Sequence, residues 1–240
     1  MASEFFSRSA ALLGEAAMAR LKSAHVAVIG VGGVGSWCAE ALVRTGLGKI
    51  TIVDDDTVAA SNVNRQCPAL AATLGRAKVE AMRERLLAID PDCEVTARRE
   101  RFEAFEECGW LKECDLIVDA IDSVACKAEL ILGATAAKVP LVSSMGAALR
   151  LDPTKVTVTR FEKVEGDGLA RALRQTFRKR NRFPAAKFSC VWSTEPPLVA
   201  NGGEKGSIMP VTATFGMCLA REALKLVIAP GGDPRPCTEV

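Results

Sequence analysis

Tyrosine is absent from the 240-residue chain, and histidine occurs once, at His25. With tryptophan limited to Trp37, Trp110 and Trp192, few aromatic platforms are available for stacking nucleic-acid bases. The nine cysteines form no Cys-x-x-Cys pair. Their odd number and irregular spacing favour reduced thiols inside a cell. With a single histidine, that spacing argues against a four-ligand structural zinc site, and none is expected. No secretory signal and no apolar run of about 18 residues occur, so no membrane-spanning helix is expected and the chain is placed in the cytoplasm. Net charge is only +2, so overall charge points to no class of partner and local charge has to be read instead.

The chain does carry a core-forming composition, 49% hydrophobic and 25% charged, typical of a folded protein. Apolar groups at helical spacing over 10–22 lead into a β-branched strand over 25–30. A helix over 36–46 ends at Gly46, a strand runs over 49–56, and an amphipathic helix over 76–89 stops at Asp90–Pro91. Further strands are expected at 93–100, 115–122 and 140–146, with a helix over 125–137. This alternation predicts an α/β fold: a Rossmann-like, mostly parallel sheet with helices on both faces. The Val/Thr alternation at 155–161 suits an antiparallel or edge strand, and a last helix is expected over 210–227. Between them, 162–209 reads as polar and irregular, and there is no sign of an independent second domain.

GVGGVG, residues 30–35, follows the first strand and opens a helix. Gly30, Gly32 and Gly35 fill the G-x-G-x-x-G positions and Gly33 is an extra glycine; such a turn lets the backbone approach a phosphate closely. About twenty residues on comes VDDDTVAASNVNRQ, 53–66. Asp54 ends the second strand, where a carboxylate can hold the ribose of NAD or ATP alike. Nicotinamide binding needs nothing more, yet the chain continues with Asn62, Asn64, Arg65 and Gln66 and reaches Lys78 at a helix start. Two added cations suit the negative charge that develops when a triphosphate is attacked at the α-phosphorus. Arg65 and Lys78 as plain solvated cations is the competing reading. DAIDS brings Asp119 and Asp122 to the end of the third apolar strand, where an aspartate can hold Mg²⁺ between phosphate oxygens. Asp122 as a helix N-cap is the alternative there. Asp55 and Asp56 receive no catalytic role.

Residues 160–188 hold nine Lys/Arg against three acids. The cluster Arg171, Arg174, Arg178, Lys179, Arg180 and Arg182 suits phosphate contacts, with Phe183 or Phe188 placed to touch a base. A solvated helix with a charged loop explains the same residues.

GVGGVGSW, IVDDDTV, SNVNRQ, LGRAK and DAIDS resemble, in order and spacing, the adenylation domain of the ubiquitin-activating superfamily and its bacterial relatives in molybdopterin and thiamine sulfur transfer. CVWSTEPP (190–197) and GSIMPVTATFGMCLAREALK (206–225) extend the likeness to the tRNA N6-threonylcarbamoyladenosine dehydratases. The resemblance implies one adenylation-type domain over 1–240, with an ATP-binding core at about 20–150 and a substrate region at about 155–210. It implies ATP and Mg²⁺ as cofactors, with Gly30, Gly32, Gly33, Gly35, Asp54, Asn62 and Ser123 at the nucleotide. Arg65, Lys78 and Asp122 are the catalytic set, Asp122 with the metal. The implied reaction is ATP-dependent cyclisation of threonylcarbamoyladenosine beside the anticodon, and adenylation of a ubiquitin-like sulfur carrier is the alternative. A homodimer and a sulfur-transfer protein are the implied partners. Arg8 is a candidate for the partner subunit's ATP site, and Cys190 a candidate nucleophile that direct ring closure does not require.

Overall fold

The computed structural model describes residues 4–199 and 205–228. Seven strands form one sheet in the order β3-β2-β1-β4-β5-β7-β6. They are β1 (His25–Ile29), β2 (Lys49–Val53), β3 (Glu94–Arg98), β4 (Leu116–Asp119), β5 (Leu141–Ser144), β6 (Val156–Arg160) and β7 (Ser189–Ser193). All neighbouring pairs are parallel except β6 with β7. The helices are α1 (Ser7–Leu13), α2 (Glu15–Ser23), α3 (Gly35–Thr45), α4 (Lys78–Ile89), α5 (Val124–Ala136), α6 (Gly168–Arg180) and α7 (Met209–Ile228).

Central strands are near-continuous apolar runs because both faces are covered. Along β1, Val26 and Val28 enter a core shared with α2, α3, α4 and α7, while Ala27 and Ile29 enter a second core under α5 and α6. Each fully buried Leu, Ile or Val in these layers contributes about 1.5–3 kcal/mol. The two cores clamp β1 and β4, so the loops leaving those strands start from fixed points. Among the described residues, no helix is long and apolar enough to cross a membrane.

The α/β architecture and the antiparallel edge strand β6 are as the sequence implies. Two local expectations are corrected. The helix expected at 10–22 is broken at Gly14, whose φ of +83° is the left-handed backbone that ends a helix cheaply only at glycine. The stretch 162–209 is not irregular: it contains α6 and β7. Asp167 caps α6 by accepting from the Ala170 N–H at 2.8 Å, and Ala170, Leu173 and Phe177 bury a narrow apolar stripe. SCVWS, too short to show a period, becomes β7 because β5 and β6 offer it unpaired edges on both sides.

Candidate active site

β1 leads to β2 on one side, whereas its other neighbour is β4, so the strand order reverses between β1 and β4. A crevice at the carboxyl ends of such strands is where open α/β sheets bind ligands. The glycine turn occupies it. Gly30 has φ +94°, and a Cβ there would stand 2.8 Å from the Ala120 carbonyl oxygen; one on Gly35 would stand 1.9 Å from the Gly30 carbonyl oxygen. These two glycines make the turn possible. Gly32 faces open space, and Gly33 lies under the aliphatic stem of Arg65, 3.2 Å from a Cβ built on the glycine.

Asp54 follows β2 and ties the turn to it. One carboxylate oxygen accepts the Val31 N–H at 2.8 Å and the other the Asp56 N–H at 3.0 Å. Burial pushes the Asp54 carboxyl up from its ordinary value, opposed by the Lys78 cation and by those two N–H groups. Lys78, the first residue of α4, is itself buried, which rules out a solvated cation. Its ammonium stands 2.7 Å from Asp56 and 3.9 Å from Asp54. Asp56, given no task from the sequence, holds the lysine at the site; Asp55 is exposed.

The SNVNRQ loop folds over the glycine turn through residues that sequence reasoning passed over. Ser36 donates to the Gly32 carbonyl at 2.6 Å and accepts the Cys67 N–H at 3.1 Å, and the Trp37 indole donates to the Arg65 carbonyl at 2.9 Å. The SW following the glycines was their signal. The Arg65 guanidinium is held at 2.7 Å by the Ser61 carbonyl and at 2.9 Å by the Asn64 side chain. Both are neutral acceptors, so its charge is available for phosphate. Asn62 accepts the Ala59 N–H at 3.0 Å, which leaves its amide NH₂ without a partner among the described residues. Asn64 also donates to the Ser207 carbonyl at 2.9 Å, bringing the approach to α7 against the loop.

Asp119 and Asp122 separate cleanly. Asp119 ends β4 with no exposure, and its carboxylate is spent on Lys127 at 2.8 Å, the Ser143 hydroxyl at 2.6 Å and the Ile121 N–H at 3.2 Å. It is an anchor for the loop and not a metal ligand. Asp122 is exposed and makes no hydrogen bond or ion pair among the described residues. It is not the N-cap either, since Ser123 holds that position before α5. A free carboxylate at the sheet edge is the hard oxygen donor that Mg²⁺ requires.

Three other expectations are corrected. Cys190 is buried within the sheet between β5 and β6, and burial pushes its thiol far above the ordinary range, so no reactive thiolate is presented. Arg174 is a structural residue: it donates to the carbonyls of Phe161 and Val164 at 2.8 and 2.7 Å, with its guanidinium over the Phe161 ring. Phe188 is buried against Phe161, which leaves Phe183 as the exposed ring. Of the remaining basic cluster, Arg180 and Arg182 pair with Glu129, whereas Arg171, Arg178 and Lys179 are exposed without an ion pair among the described residues. Arg8 is exposed on α1. The neighbouring Phe6 packs by Gly46, at the far end of α3 from the glycine turn, so Arg8 does not reach this chain's own site.

A glycine turn, a ribose-type carboxylate, two cations and a free aspartate at one switch point define a nucleotide-binding α/β protein equipped for work on a triphosphate. Residues 6–238 match the ThiF family. The tRNA threonylcarbamoyladenosine dehydratase of Escherichia coli is 38% identical, with 93% of each chain covered. Crystal structures of that Escherichia coli enzyme in complex with AMP and with ATP superpose with TM-scores of 0.89 and 0.86 at 39% and 38% identity, each covering 94% of both chains. The chain belongs to the ThiF family, in the branch of the tRNA threonylcarbamoyladenosine dehydratases.

Proposed function

We propose that this protein uses ATP to cyclise N6-threonylcarbamoyladenosine in tRNA, with loss of one water from the nucleoside. The observation that carries the chemistry is Arg65, laid over the glycine turn with no acid on its guanidinium. The likeness over almost the whole length of a dehydratase supports the substrate.

A threonyl carboxylate is a poor electrophile because its leaving oxygen is too basic. In the first step one carboxylate oxygen attacks the α-phosphorus of ATP and pyrophosphate departs. In the second, a heteroatom of the carbamoyl group attacks the acyl carbon, the carbamoyl N–H releases its proton to solvent, and AMP leaves with the original carboxylate oxygen. The attacking group belongs to the same side chain, so its effective concentration is high and no enzyme thiol is needed. Asp54 would accept the ribose hydroxyls. Arg65, Lys78 and the Asn62 amide would hold the phosphates, and charge stabilisation of this kind is worth several kcal/mol when preorganised. Gly30, Gly32, Gly33 and Gly35 would leave room for the phosphates at the N-terminus of α3, and Ser123 would flank them. Asp122 would hold Mg²⁺, which supplies further neutralisation of the phosphate oxygens.

One α/β domain spans the chain in this reading, with the nucleotide core at about 20–150 and tRNA contacts at about 155–210. Arg171, Arg178 and Lys179 are the cations free for its backbone. In a homodimer, Arg8 would serve the partner subunit's nucleotide. The ring closes within the substrate, so the chemistry needs no sulfur donor.

Incubating the protein with ATP, Mg²⁺ and tRNA carrying threonylcarbamoyladenosine, then weighing the nucleosides, tests the proposal. An ATP-dependent loss of one water mass is expected. No such loss, together with ATP–pyrophosphate exchange triggered by a small sulfur-carrier protein, would replace it with carrier adenylation.

A further inference from the structure

A groove of about 470 Å³ lies between α6 and the turn that enters β7, within the roughly 300–1,000 Å³ of sites that hold small ligands. It is distinct from the nucleotide crevice. Asp119, Ser143 and Cys190 share one level of the sheet, so Phe188, two residues before Cys190, enters β7 toward the amino ends of the strands, while Asp54 follows β2, four strands away. Four strand spacings of about 4.8 Å amount to roughly 19 Å, too far for one nucleoside to bridge both.

The floor of the groove is aromatic and rigid. Phe161 and Phe188 stack at 5.1 Å, and Phe177 meets Phe161 edge-on at 6.1 Å. On the rim Phe183 is 60% exposed, an apolar ring left in water. Around it positive charge predominates. Arg174 is fixed by backbone carbonyls and so keeps its charge, and Arg178 and Lys187 are exposed with no ion pair among the described residues. Glu162 is the single acid among the lining residues. A flat ring with an open face beside cations that have no counter-charge fits one chemistry better than others: an unstacked base joined to anionic phosphate. An apolar peptide would use the ring and leave the cations idle.

We propose that this groove takes an unstacked nucleobase of the tRNA, stacked on Phe183, with its flanking phosphates on Arg178 and Lys187. The proposal rests on tRNA being the substrate. The base it binds is not the one undergoing cyclisation, so the groove tethers and orients the tRNA from a distance.

Filter binding of full-length threonylcarbamoyladenosine-containing tRNA across a salt series, alongside turnover, tests it. Phe183→Ala should weaken binding roughly 5- to 100-fold, the loss of one base–aromatic stack. It should raise KM for tRNA, spare kcat at saturating tRNA and leave the salt slope unchanged. Phe183→Trp should restore affinity. Arg178→Ala with Lys187→Ala should instead lower the slope by about 2. Wild-type affinity in Phe183→Ala, or an equal loss in Phe183→Trp, overturns the groove while leaving the cyclisation reading intact. A wild-type protein that binds no tRNA overturns both, and one that binds tRNA in this way without converting it overturns only the cyclisation.

Discussion

Lys127→Met isolates the buried pair beneath the DAIDS loop. Lys127 and Asp119 have no exposed side-chain surface, and Nζ stands 2.8 Å from the carboxylate. Removing one member of such a pair typically costs about 3–5 kcal/mol, because the other charge is left uncompensated. Two features set the figure here. The Ser143 hydroxyl and the Ile121 N–H still serve Asp119 after the substitution. In addition, Nζ approaches Asp119 without the alignment of a hydrogen bond. We therefore expect the lower end, about 3 kcal/mol, which for a chain of this size lowers Tm by roughly 6–12 °C. Urea and thermal unfolding of Lys127→Met, Asp119→Asn and the double variant measure it. The double variant should recover about 1–3 kcal/mol relative to the sum of the singles. Affinity for ATP should fall in step, since Asp119 positions the loop that carries Asp122. A single-variant cost below about 1 kcal/mol, or additive singles, would refute the claim that the pair holds this loop.

Glu40 offers a pH test. Burial opposes its charge, but hydrogen bonds from Arg85, Cys67 and Arg44 outweigh burial and pull its carboxyl down to about 2. A depressed carboxyl stabilises the fold above its unfolded value of 4.5 and loses that contribution as pH falls toward 2. Glu40→Gln should thus cost about 1–3 kcal/mol at pH 7 and progressively less below pH ~4.5, and equal cost at every pH in denaturant titrations would count against it. Gly35→Ala should lose about 3 kcal/mol or more by unfolding, since its Cβ has no room beside the Gly30 carbonyl. Gly32→Ala, facing open space, should fold normally and lose ATP affinity by calorimetry. Cys190→Ala should retain kcat in the nucleoside assay, because the buried thiol is not a nucleophile; loss of turnover in a folded variant would restore it to the mechanism.

The parallel core was legible because burial on both faces forces near-continuous apolar runs, as in HVAVI and KITIV. Gly30, Gly35, Asp54 and Lys78 were legible because each stands at an element end where backbone geometry or charge limits the residue, and Arg65 because it is a cation in the loop that follows the ribose-side acids. α6 was hidden by its own polarity: only Ala170, Leu173 and Phe177 of its stripe are buried, among arginines that read as surface. β7 has no signal of its own, since five residues acquire a strand's conformation from neighbours distant in sequence. The tasks of Asp56, Ser36 and Trp37 depend on contacts between loops, which local pattern does not carry. Arg174 and Phe188 were misjudged for the same reason, their partners lying across α6 and β6.

The sheet's strand order constrains how synthesis can proceed. β6 emerges before β7, yet it has no partner until β7 slots between it and β5. A growing chain that has reached about residue 180 therefore carries an open parallel edge at β5 and an orphan strand at β6. One short segment, Ser189–Ser193, closes both gaps at once, and α7, following it, covers β4 through β7. Both halves wait for those last pieces: α7 packs on α3, the helix that the glycine turn opens, and β7 completes the proposed tRNA-facing half.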